Sequence, residues 1–145
     1  MSKIYSNLPR AIPPKEIPFT LEITGSTTGF KYTGDFTVKV PTVKDMSRIG
    51  VLIARLNCGV QFNDLDTSTA NLHNAIAYLQ ACLVDAPKWF INNENDDEPG
   101  IAYGLDTLDV NIPVLIFKKA DALVSDWHAA LKATQKPVDD HGKNP

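Results

Sequence analysis

The residues of this chain that could do chemistry are two cysteines, three histidines and one run of acids. Glu94, Asp96, Asp97 and Glu98 form the run. A calcium loop needs oxygen ligands at set spacing, a glycine at the turn and a later bidentate Glu. Here Gly100 falls after the acids and no Glu follows in register, so the run reads as a solvated loop. His73, His128 and His141 contain no pair at the i, i+4 spacing of a helical zinc site, and no cysteine pair lies near one. A nucleophile needs a base in reach and a group that orients the base. Cys58 and Cys82 instead lie on apolar helical stripes, and no serine sits in a G-x-S-x-G elbow. His128 has Asp121 and Asp126 nearby in sequence, a proposal that rests on residue type alone. No P-loop and no G-x-G-x-x-G offers a phosphate cradle. The expectation is a protein with no catalytic residue, no metal ligand and no cofactor, and so not an enzyme.

Composition agrees with that class. The 145 residues fit one domain, with 43% hydrophobic and 21% charged residues. A chain of this length buries a sizeable core without a disulfide or metal. The net charge is −3 and the basic residues are scattered, which speaks against a nucleic-acid partner. The two cysteines read as reduced core thiols, with a disulfide between them as the alternative. The first residues are broken by prolines and hold no continuous apolar stretch, so no signal peptide is expected. No apolar run approaches the ~20 residues that span a bilayer. A cytoplasmic, membrane-free protein is expected.

The elements that must position these residues follow from periodicity. Residues 1–16 contain Pro9, Pro13 and Pro14 and read as an extended arm, with Tyr5 placed to dock on something. Residues 17–24 alternate, with Phe19, Leu21 and Ile23 on one face. Residues 30–40 alternate too, with Phe30, Tyr32, Gly34, Phe36, Val38 and Val40 on one face. The glycines at 25 and 29 suit a hairpin connection, and Gly34 marks a bulge or a close approach of another segment. Thr42 with Asp45 makes a capping-box variant before a helix with Met46, Ile49, Leu52, Ile53 and Leu56 on its inner stripe. Cys58 and Gly59 close that helix. Asp66 opens a second helix with Leu72, Ala75, Ile76, Leu79, Cys82, Leu83 and Ala86 in its stripe, stopped by Pro87. Residues 91–104 read as an exposed acidic connection. Helical spacing returns at Leu108, Ile112, Leu115, Ile116, Leu123, Trp127, Ala130 and Leu131, and Pro113 argues for a start or kink near Asn111. Residues 135–145 read as a disordered tail. The sum is an α+β fold: an N-terminal β-hairpin packed against about three helices, as one domain over 17–134.

Trp89 and Phe90 follow the helix stop and are expected to fold back on the core; the competing reading is an interface anchor. The run Tyr32-Thr33-Gly34-Asp35-Phe36-Thr37-Val38 is followed by Asp45, Ile49 and the helix end Leu56-Asn57-Cys58-Gly59-Val60. Leu79-Gln80-Ala81-Cys82-Leu83, Ala86-Pro87-Lys88-Trp89-Phe90 and a last amphipathic helix complete a pattern that resembles the tail assembly chaperones of tailed bacteriophages. The likeness covers residues 30–130; the arm and the acidic connection stand outside it. It implies a non-enzymatic protein of the infected host's cytoplasm. Such a protein binds the tape measure protein, with the tail tube protein as a further partner, and keeps it soluble during tube assembly. A binding surface on the second and last helices is expected to use Leu79, Leu83, Trp89, Phe90 and Trp127. The second reading is a structural virion protein of head, tail or baseplate with a permanent interface. Self-association is compatible with both.

Overall fold

The computed structural model describes residues 15–91 and 108–135. The proline-rich arm with Tyr5, the acidic run from Glu94 to Glu98, and the tail with His141 lie outside the described residues. The fold is α+β. Strand β1 spans Glu16–Thr24, β2 Lys31–Lys39 and β3 Leu83–Asp85; helix α1 spans Val43–Asn57, α2 Thr67–Cys82 and α3 Asn111–Gln135. A 3-10 turn at Phe62–Asp64 joins α1 to α2. The sheet order is β1-β2-β3 with both pairings antiparallel.

The hairpin forms as the alternation requires. Phe19 pairs with Phe36 and Ile23 with Tyr32. The rings of Phe19 and Phe36 stack at 5.4 Å between centroids. On the outer face, the Thr20 hydroxyl donates to the Asp35 carboxylate at 2.7 Å. Val40 N–H donates to Lys15 C=O and Gly25 N–H to Phe30 C=O, so odd-numbered residues of β1 bond β2. Even-numbered ones direct their backbone groups to the open edge. Pro18 is even-numbered, which is why a proline is accepted within a strand: its missing N–H would have faced away from β2.

Helix α1 begins with the expected capping box: Asp45 N–H donates to Thr42 Oγ1 and Thr42 N–H to Asp45 Oδ2. Asp45 also pairs with Lys39 at 3.1 Å. Helix α2 starts on Asp66, whose Oδ1 accepts from Thr69 N–H. Helix α2 is the central helix, packed against α1 and α3, and Ala75, Ile76, Ala77, Leu79 and Cys82 are buried on several of its sides. Helix α3 starts at Asn111 with Pro113 in its first turn, where the missing N–H breaks no intrahelical bond. Its inner stripe is Ile112, Ile116, Ala120, Val124 and Trp127. Phe36, Val38, Leu79, Ile112 and Ile116 are fully covered at the centre. Each such side chain contributes roughly 1.5–3 kcal/mol by leaving water.

Several expectations are corrected. Helix α2 ends at Cys82, and Leu83–Asp85 turns into β3 against Thr37 and Val38. Three residues carry too little periodicity to separate a last helical turn from a strand, and the pairing decides. The irregular register of the sheet lies between Thr37 and Val38, not at Gly34. Gly34 is instead the close approach: a Cβ there would meet Pro87 Cγ at 2.5 Å. Cys58 is exposed, and it takes a left-handed conformation (φ 52°) as the C-cap of α1, ahead of Gly59 (φ 84°). Only Cys82 is a core thiol of the two. Phe30, Met46, Leu108 and Leu115 lie on the surface. Strand β1 starts one residue earlier than expected, at Glu16.

Candidate binding groove

The start of α3 clasps the tip of the hairpin. Asp109 has no exposed surface. Its Oδ1 accepts from the amides of Thr27 (2.6 Å) and Thr28 (2.7 Å), and its Oδ2 from the hydroxyls of Thr28 (2.7 Å) and Tyr32 (2.9 Å). Two residues on, Asn111 Oδ1 accepts from Ser26 N–H and Asn111 Nδ2 donates to Thr24 C=O. Burial pushes the Asp109 carboxyl up, but the Thr28 amide and hydroxyl, the Thr27 amide and the Tyr32 hydroxyl outweigh it and hold the group below the usual carboxylate range. The Tyr32 phenol moves the other way, first because it donates to that carboxylate.

This clasp holds the start of α3 at the hairpin tip, and the first turn of α3 lies beside the first turns of α2. Residues 68–72 face residues 110–114, and farther along Tyr78 meets Phe117 edge-on at 4.9 Å. The two helices therefore run in the same direction and open a groove of about 370 Å³ between their N-terminal ends. Leu72, Val110 and Val114 give it an apolar lining, and Ser68, Thr69, Asn71 and Asn111 give it a polar one. Leu108 and Val110, just before α3, and Leu115 within it are exposed apolar side chains, at 70%, 59% and 40%.

The turn after β3 forms a second feature. Pro87 presses on Gly34, and Trp89 Nε1 donates to Thr33 C=O at 2.9 Å. The indole lies 4.9 Å from the Tyr32 ring and meets Phe36 and Phe90 edge-on. Tyr32 thus touches Trp89 with its ring and Asp109 with its hydroxyl. Trp89 and Phe90 do fold back on the core.

Of the five residues expected to form a binding surface, Leu79, Leu83, Phe90 and Trp127 are buried, and Trp89 keeps 38% of its surface. Four of them are therefore covered by the chain's own packing in this fold. The second and last helices do present an apolar surface together, but through Leu72, Val110 and Val114. Leu72 was expected in the apolar stripe of α2, whereas Val110 and Val114 were not singled out in the sequence because they fall outside the main stripe of α3. Asp109 was also passed over, as one more acid ahead of a helix.

The remaining polar groups have local roles. His73 Nδ1 lies 2.7 Å from Asn57 Oδ1 and ties α2 to the end of α1. Burial lowers the His73 pKa, so the neutral ring is favoured. Burial pushes the Cys82 thiol up to about 11, which leaves it a poor nucleophile. His128 packs edge-on to Trp127. Among the described residues, no three of His, Cys, Asp and Glu gather as metal ligands would, and no helix is long and apolar enough to cross a membrane. The arrangement suits non-covalent contact with an apolar segment. No protein-family model, curated protein or solved structure matches the chain.

Proposed function

We propose that this chain is a non-enzymatic assembly chaperone of a tailed bacteriophage. It would hold apolar helical segments of the tape measure protein in the host cytoplasm while tail tube subunits polymerise. The observation that supports the reading is the open groove between α2 and α3 with its apolar lining of Leu72, Val110 and Val114. A groove of this kind takes an amphipathic helix by its apolar face. The resemblance across residues 30–130 supplies the class of partner.

The test is co-expression with the tape measure protein of the source phage, scored by its soluble fraction. Val110→Asp with Val114→Asp should abolish solubilisation while the circular dichroism and melting of the variant stay near those of the parent chain. Solubilisation that survives both charges would remove the groove from the reading. Purified mature particles should lack the chain. Stoichiometric presence there would replace the chaperone with a structural virion protein.

A further inference from the structure

We draw no further inference here: the strongest candidate, the exposed uncharged face of α1 formed by Val43, Met46 and Val51, is an unpartnered apolar surface, and nothing in the structure shows what covers it.

Discussion

The carboxylate of Asp109 occupies the space that a Cβ on Gly25 would fill. Two residues 84 positions apart are thus fitted to each other. Glycine at the hairpin tip lets the acid reach the amides of Thr27 and Thr28, and the acid supplies those amides with an acceptor that the two-stranded turn does not. Because α3 begins two residues later, the same contact sets where the groove opens.

Gly25→Ala should therefore disrupt the clasp from the hairpin side and cost roughly 1–3 kcal/mol, the usual range for overpacking a filled site. Asp109→Asn should destabilise from the helix side by placing an NH2 donor where Oδ2 now accepts from the Thr28 and Tyr32 hydroxyls. Combined, the two changes should cost less than their sum, because each removes the same contact. Urea unfolding of the four chains checks this. Strict additivity would show that Gly25 and Asp109 act independently.

Gly34→Ala should push Pro87 off β2 and shift Trp89, whose indole bonds the neighbouring Thr33 carbonyl. The expected loss is again about 1–3 kcal/mol. Trp89 fluorescence should move to the red as the ring leaves Tyr32 and Phe36. An unchanged emission maximum would mean the 86–90 turn is not seated by Gly34.

Stability should fall in acid in a defined window. The Thr42 backbone amide lowers the Asp45 pKa and the Thr69 amide lowers that of Asp66; in Asp109 the hydrogen bonds outweigh burial. Each folded value lies below the unfolded 3.8, so the contribution is complete above 3.8 and is lost as pH falls from there through the folded values. His73 acts earlier. Burial depresses its pKa from 6.5, so the unfolded chain takes the proton first and stability declines as pH falls below 6.5. His73→Gln should flatten the upper part of the profile and leave the lower part. Chemical denaturation midpoints across this range, parent against variant, provide the check.

Pro18→Val should leave the hairpin intact and raise self-association. The substitution restores an N–H on the open edge of β1, where Pro18 and the acids Glu16 and Glu22 now discourage another strand from pairing. Sedimentation velocity over a concentration series should show a larger shift to higher mass than the parent chain. Identical behaviour would mean the edge is shielded by something other than Pro18.

Much of the fold was legible because it is local. Phe19, Ile23, Phe36 and Val38 alternate at period two, Thr42 and Asp45 cap a helix within four residues, and Pro113 stands where a helix can accept it. These signals act over a few bonds and survive in any tertiary context. Gly34 was legible as a bulge or a close approach for the same reason, since a strand interior accepts glycine at a cost that packing must offset, and the contact with Pro87 decides for the second.

What only the tertiary structure decided depends on residues far apart in the chain. Leu83–Asp85 became a strand because Thr37 and Val38 were there to pair with it. Leu79, Leu83 and Trp127 stood both on apolar stripes and on the expected binding surface, and Phe90 was expected on the core with an interface anchor as the competing reading; tertiary packing settled their burial. Asp109 looks like any loop acid until the hairpin tip folds over it. The groove of Leu72, Val110 and Val114 exists because the N-terminal ends of α2 and α3 lie side by side, a relation between residues about 40 positions apart that no periodicity within either helix contains.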